Sequence, residues 1–141
     1  MTLKRLSFAL AVATVGCNRA FSPGEALVGT WGGTGVSAAL TETGGQISFV
    51  CADASLNAPL VPDSKGRISS TGVTSLVGGP ARPLDYVPES HPGRFFGNVD
   101  GSTLTLTVVR TDIADAEPVG PYVLHKGELG DVYGCPVAAP H

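Results

Sequence analysis

Few residues in this chain could do chemistry, and the pair with the most ligand-like spacing is His125 and Glu128. On a helix, a spacing of three would put both side chains on one face, where a histidine and a carboxylate can ligate zinc. However, Gly127 lies between them and predicts a turn, and no second histidine completes a zinc site. We therefore predict a solvated hairpin here and no metal site.

Carboxylates and a further histidine also fall short of a catalytic pattern. Asp112, Asp115 and Glu117 lie close together, and a pair of carboxylates can serve a glycosidase. Because all three belong to one predicted loop, we interpret them as charge that favours solubility. His91 could titrate near neutral pH, but no neighbour in the sequence makes it a base. The chain also lacks the signature motifs of serine hydrolases, zinc proteases and nucleotide-binding proteins. We therefore predict no catalytic activity and no cofactor.

The composition predicts a small protein built from many short elements. The chain has 141 residues, enough for one domain, with 19 glycines, 11 prolines and few charges. The net charge of the whole chain is −3. Lys4 and Arg5 belong to a targeting segment, and without them the chain has 7 basic and 12 acidic residues, which gives a net charge of −5. This charge argues against nucleic-acid binding, which needs basic surfaces, and against electrostatic binding to membranes.

The N-terminus predicts export. Residues 1–5 contain two basic side chains, and residues 6–16 form an uncharged, mostly apolar run of 11 residues. Such a run is too short to span a bilayer but suits the core of a signal peptide. We therefore assign residues 1–16 to a signal peptide, residues 17–25 to a tether, residues 26–136 to the folded domain and residues 137–141 to a tail.

The residues around the predicted cleavage site are Thr14-Val15-Gly16-Cys17. They resemble the lipobox of bacterial lipoproteins, in which a cysteine after a small residue is lipidated and becomes the new N-terminus. Gly16 and Cys17 match this pattern, whereas the family usually has leucine where Thr14 stands. The resemblance implies a protein of the cell envelope anchored to the membrane through Cys17. The alternative is cleavage after Gly16 without lipid, which would give a secreted or periplasmic protein.

The number of cysteines relates lipidation of Cys17 to the formation of a disulfide. Three thiols in an oxidising compartment leave one without a partner. If Cys17 carries lipid, Cys51 and Cys135 remain as a pair, and we expect a disulfide between them. Alternation along the chain places Cys51 on the same strand face as Ile47 and Phe49, which predicts a side chain pointing into the core.

The folded domain reads as a series of short strands. The first hairpin begins at Gly29-Thr30-Trp31, turns at residues 43–45 and returns to Cys51. Its glycines at 29, 32, 33 and 35 suit a bent strand near a barrel closure, where side chains would collide, better than a phosphate-binding loop. Further strands are predicted at Leu56–Val61, Ile68–Leu76, Arg94–Val99, Ser102–Thr111, Pro121–Lys126 and Glu128–Cys135.

About eight short strands with short connections predict an all-β fold. Asp63 and Gly66 favour one turn, and Asp100-Gly101 favours a tight hairpin. In the strand that follows this hairpin, Leu104 and its alternate neighbours face the core while Thr103, Thr105 and Thr107 face solvent. Such a chain forms an antiparallel up-and-down barrel or a two-sheet sandwich. The longest irregular stretch is residues 78–93.

Several of these residues together resemble known barrel proteins. Gly29-Thr30-Trp31 resembles the Gly-x-Trp signature that opens lipocalin-type barrels. The wider set, Gly-Thr-Trp-Gly-Gly at 29–33 with Cys51 and Tyr133-Gly134-Cys135, is similar to a group of small exported bacterial lipoproteins, over about residues 28–136. This resemblance implies a lipocalin-like barrel with one disulfide and no established activity.

Taken together, these observations predict a binding protein rather than an enzyme. The leading hypothesis is a barrel that binds a small apolar ligand. The alternative is a protein that binds or inhibits a partner, such as a lysozyme or a protease, through its loops, especially residues 78–93. Trp31 is a candidate ligand contact, although the tryptophan of such a barrel more often fills its closed end. A cavity of ~300 Å³ or more would favour ligand binding, and a filled barrel would favour a protein partner.

Overall fold

The computed structural model describes residues 21–76, 84–133 and 135, which form a closed barrel of eight antiparallel strands. Each strand pairs with the next, and the last pairs with the first, so the predicted all-β fold is confirmed as a barrel rather than a sandwich. The described residues contain no helix long and apolar enough to cross a membrane. The strands are β1 (Gly29–Gly33), β2 (Val36–Thr41), β3 (Gly44–Phe49), β4 (Ala52–Leu56), β5 (Arg67–Leu76), β6 (Ser90–Asp100), β7 (Thr103–Arg110) and β8 (Val119–Lys126).

Several sequence predictions concern other parts of the chain. The signal peptide at residues 1–16, Cys17 and the tail at residues 137–141 lie outside the described residues. Of the predicted tether, residues 21–25 are described, and Phe21 packs against the core.

Alternating side chains fill the middle of the barrel. Along β7, Leu104, Leu106 and Val108 are buried, whereas the threonines between them are half-exposed on the outer face, as predicted. Buried apolar side chains from the other seven strands join the β7 leucines in the interior, and the largest fully buried ones include Trp31, Ile47, Phe95 and Leu124. The centre of the barrel is therefore a packed apolar core.

One end of the barrel is covered by two chain segments, residues 21–28 and 57–66. The Leu27 amide donates to the Leu60 carbonyl at 2.8 Å, and both side chains are buried. Ser70 anchors the second segment, because its Oγ donates to the Ala58 carbonyl at 2.8 Å. The turn predicted at Asp63 is present, with Oδ1 accepting hydrogen bonds from the amides of Lys65 and Arg67. We call the barrel end that residues 21–28 and 57–66 cover the closed end.

The seam between β1 and β8 depends on glycine. Only two residue pairs join these strands directly, Trp31 with Lys126 and Gly32 with His125. A Cβ atom on Gly33 would collide with the Val123 carbonyl oxygen, and one on Gly32 would collide with the backbone of residues 128–130. This finding confirms the prediction that these glycines allow close backbone approach at the barrel closure.

Three strand boundaries differ from the sequence prediction. The predicted first strand is divided into β1 and β2 by a turn at Thr34 and Gly35, because Gly35 takes a left-handed conformation with φ +73°. The predicted strand at residues 56–61 is irregular, since β4 occupies residues 52–56 instead. In the predicted strand at residues 128–135, the described residues, 128–133 and 135, form only an isolated parallel bridge, between Thr34 and Asp131. The extra strand and the lost one compensate, so the number of strands remains eight.

Cys51 and Cys135 form the expected disulfide, with an S–S distance of 2.02 Å. The predicted position of Cys51 on the inward face of a strand is wrong, however. β3 ends at Phe49, and Cys51 lies half-buried in the turn before β4 with φ +65°. A residue in the left-handed region interrupts the alternation of side chains, which moves the sulfur away from the inward face of the strand.

Candidate functional site

The barrel end opposite the closed end, which we call the mouth, contains a cavity of about 540 Å³. The β3–β4 and β7–β8 connections and the last residues of β5 meet there. Most of the lining side chains are apolar, and the polar ones are Thr74, Arg110 and Glu117. The apolar lining residues are Phe49, Val50, Ala52, Leu76, Val108, Ile113, Ala116, Val119 and Tyr122.

Strand alternation positions the floor of the cavity. Phe49, Val108 and Tyr122 each lie two residues beyond a buried core residue and point inward at the last positions before the mouth. The rings of Phe49 and Tyr122 pack in a tilted arrangement with centroids 4.8 Å apart. Phe49 and Val108 are buried and Tyr122 is half-buried, and all three line the cavity, so its floor is apolar.

Side chains nearer the solvent form the wall. Leu76 at the end of β5, Ile113 in the β7–β8 loop and Val119 at the start of β8 are 69%, 47% and 55% exposed. Large apolar side chains with this exposure lose contact with water when a ligand fills the cavity, which favours binding of apolar molecules.

A polar cluster lies on the rim. The Arg110 guanidinium donates from Nε to Asp112 Oδ1 at 2.9 Å and from Nη2 to Asp112 Oδ2 at 2.6 Å. These hydrogen bonds lower the pKa of Asp112 from its usual 3.8 to about 2 and raise the pKa of Arg110. His91 Nδ1 is 2.8 Å from Arg110 Nη2 and 3.2 Å from Asp112 Oδ2, so it accepts from Arg110 or donates to Asp112 according to its tautomer.

The chemistry available to this cluster is limited. A histidine beside a carboxylate can activate a nucleophile. Within the described part of the chain, however, no serine, threonine or cysteine side chain hydrogen-bonds to the His91 ring. The same described residues contain no group of three or more histidine, cysteine, aspartate or glutamate side chains that could hold a metal ion.

The residues that the sequence singled out are distributed over the molecule. Trp31 is fully buried, donates from Nε1 to the Val28 carbonyl at 3.3 Å, and does not line the mouth cavity. His125 lies near the end of β8 and Glu128 in the turn after it. Both are exposed, and the Glu128 amide donates to the His125 carbonyl at 3.3 Å. No hydrogen bond joins their side chains.

The acidic loop residues have separate positions. Asp112 pairs with Arg110, Glu117 lines the cavity, and Asp115 is exposed in a turn with φ +58°.

Sequence reasoning missed the cluster of His91, Arg110 and Asp112, although a signal for it exists. The Asp100-Gly101 hairpin sets the register of β6 and β7, with Asp100 opposite Thr103. Nine residues before Asp100 is His91, and nine residues after Thr103 is Asp112, so the same register places His91 opposite Asp112. The hydrogen bond from the Thr111 amide to the Pro92 carbonyl extends this pairing beyond β7.

Comparison with other proteins does not assign the chain to a group. No known protein family, no curated protein and no solved structure matches it. The function must therefore be argued from the site itself.

Proposed function

We propose that this chain is an exported, non-enzymatic binding protein that holds a small, largely apolar molecule in the mouth cavity. The observation that carries this proposal is the cavity of about 540 Å³ with apolar walls. Ligand sites in proteins typically have volumes of about 300–1,000 Å³ and combine apolar walls with a few polar groups. A molecule that covers Leu76, Ile113 and Val119 would gain most of its binding free energy from the apolar surface that it removes from water.

The proposed location follows from the disulfide and from the N-terminal sequence. A disulfide is typical of proteins in oxidising compartments such as the periplasm or the cell exterior. The apolar run at residues 6–16 resembles a signal peptide, and Gly16-Cys17 resembles a lipidation site. A barrel with one disulfide is also compatible with the proposed likeness to small, lipocalin-like exported lipoproteins. Anchoring through lipid on Cys17 is thus part of the proposal, with secretion as the alternative.

A second candidate function is binding or inhibition of a protein, such as a lysozyme or a protease, through the mouth loops. The observation that favours it is the exposure of large apolar side chains there. Leu84 and Val87 in the β5–β6 connection are almost fully exposed, and Ile113 in the β7–β8 loop is half-exposed. Clusters of exposed apolar residues often mark sites of protein–protein contact.

The test of the leading proposal is titration of the purified mature chain with N-phenyl-1-naphthylamine, an uncharged dye that fluoresces in apolar sites. We expect saturable binding. Ala116→Trp should weaken it at least tenfold, because the indole would occupy the cavity that Ala116 lines. Ala114→Trp is the matched control, since Ala114 is exposed in the same loop and does not line the cavity.

Two results would contradict the leading proposal: an absence of saturable binding, or equal effects of the two tryptophan variants. The second candidate predicts instead that the chain inhibits a lysozyme or a protease in a purified assay. In that case, the double change Leu84→Ser and Val87→Ser should abolish inhibition while Ala116→Trp leaves it unchanged.

A further inference from the structure

The charges on the cavity wall indicate which head group a ligand would carry. Of the twelve lining residues, only Arg110 and Glu117 carry a charge. These two residues lie at the mouth, so a ligand whose apolar part contacts the floor would place its other end between them. The net charge of this region therefore decides which head group the cavity favours.

The positive charge of Arg110 is already neutralised. Its Nε and Nη2 groups donate to the two carboxylate oxygens of Asp112, and Nη2 is also 2.8 Å from His91 Nδ1. A paired guanidinium exerts a weak field at longer range, because the adjacent carboxylate cancels most of it. An anionic ligand at Arg110 would be left with the Nη1 donors, and it would be repelled by the Asp112 carboxylate.

The negative charge of Glu117 has no such partner. Among the described residues, no hydrogen bond or ion pair engages its carboxylate. Glu89 adds another carboxylate at the rim, 3.9 Å from His91 Nε2. Arg110 is thus accompanied by three carboxylates, those of Asp112, Glu117 and Glu89, and the formal sum of these four groups is negative when His91 is neutral.

We propose that the mouth cavity selects amphiphiles with an apolar tail and a cationic head group, such as a primary ammonium group. The inference rests on the proposed ligand-binding function and specifies the class of ligand. The tail would contact Phe49 and Val108, while the ammonium group would lie beside the Glu117 carboxylate.

The test compares three probes that share one tail and differ in charge: dodecylammonium, dodecanol and dodecanoate. Each displaces N-phenyl-1-naphthylamine from the mature chain below its micelle concentration, at pH 7 and low salt. We expect dodecylammonium to bind up to about fivefold more tightly than dodecanol, because a charge pair with an exposed carboxylate contributes at most about that factor. Dodecanoate should bind more weakly than dodecanol.

Two variants locate the charge that causes this preference. Glu117→Gln keeps the shape of the side chain but removes its charge, and it should reduce the preference for dodecylammonium over dodecanol to about twofold or less. Asp115→Asn is the matched control, because it removes one negative charge from the same loop at an exposed residue that does not line the cavity. It should leave the preference close to that of the unaltered chain.

The outcomes separate this inference from the function on which it rests. Three results would overturn the proposed preference for a cationic head group and leave the proposed apolar binding site intact. They are equal binding of the three probes, tightest binding of dodecanoate, and an unchanged preference in Glu117→Gln. If the dye does not bind saturably, the ligand-binding function itself fails. Equal losses in Glu117→Gln and Asp115→Asn would assign the preference to the overall charge of the loop and would also overturn the proposed role of Glu117.

Discussion

Cys51 and Cys135 are joined by a disulfide with Cα atoms 4.6 Å apart, although 84 residues separate them in the chain. The bond connects the β3–β4 turn to the chain beyond β8. Val50 and Ala52, the neighbours of Cys51, both line the mouth cavity. The disulfide therefore ties part of the cavity wall to the C-terminal segment.

Removal of the disulfide should lower stability only under oxidising conditions. A cross-link that closes a loop of this length stabilises a protein by about 3–5 kcal/mol, chiefly by restricting the unfolded chain. We expect Cys51→Ser with Cys135→Ser, made in a Cys17→Ser background to remove the remaining thiol, to lower the Tm without reductant. The control is the Cys17→Ser protein, whose Tm should fall to that of the triple variant when reductant is added. Equal Tm values without reductant would contradict a stabilising role for this bond.

Substitution of Gly33 should weaken the barrel seam. A Cβ atom at this position would collide with the Val123 carbonyl oxygen, and backbone on both sides prevents an easy adjustment. We expect Gly33→Ala to reduce the free energy of unfolding by at least about 1–3 kcal/mol, as overpacking does elsewhere, measured by urea denaturation.

Gly93→Ala is the matched control for the seam. Gly93 is also a strand glycine, but the nearest atom to its added Cβ, the Val109 carbonyl oxygen, would be 3.4 Å away. We expect a much smaller loss of stability than for Gly33→Ala. Similar losses in both variants would show that the close contact between β1 and β8 is not what requires glycine.

The Arg110–Asp112 pair should give a pH-dependent contribution to stability. The pKa of Asp112 is about 2 in the folded chain and near 3.8 when unperturbed, so folding favours the ionised carboxylate. The contribution is fully present above about pH 4 and is lost as the pH falls through about 2. We expect the Tm difference between the unaltered chain and Asp112→Asn to be constant from pH 5 to 7 and to vanish near pH 2.

Salt provides a second measurement on the same pair. Because both side chains are partly exposed, high ionic strength should reduce the Tm difference at pH 7. Asp115→Asn is the control, since Asp115 has no ion-pair partner among the described residues. A Tm difference that stays the same from pH 7 to pH 2 would show that Asp112 acts through its shape and not through its charge.

Most of the strands could be predicted because their signals are local. The alternation of Leu104, Leu106 and Val108 with threonines predicts β7, and Asp100-Gly101 predicts the turn before it. Proline and glycine were harder to interpret. Gly35 allowed a tight turn inside what the sequence predicted as one strand, and the stretch that contains Pro59 forms no strand. Such residues permit several local conformations, and the rest of the barrel selects one.

The candidate site was predicted less well than the fold. Sequence reasoning treated Asp112, Asp115 and Glu117 as one acidic loop, whereas the structure gives them three different environments. Trp31, the residue named as a possible ligand contact, lies in the core away from the cavity. Side chains that are close in sequence can form an ion pair, line a cavity or point into solvent. The geometry of the turn determines which of these environments each side chain has.

The sequence by itself determined that this protein is a small, all-β domain with about eight antiparallel strands and glycines at the seam, because alternation, turn residues and steric requirements act over a few residues. Only the tertiary structure decided between a barrel and a sandwich and created the cavity at the mouth. Both depend on contacts between residues far apart in the chain, such as Trp31 with Lys126 and Phe49 with Tyr122.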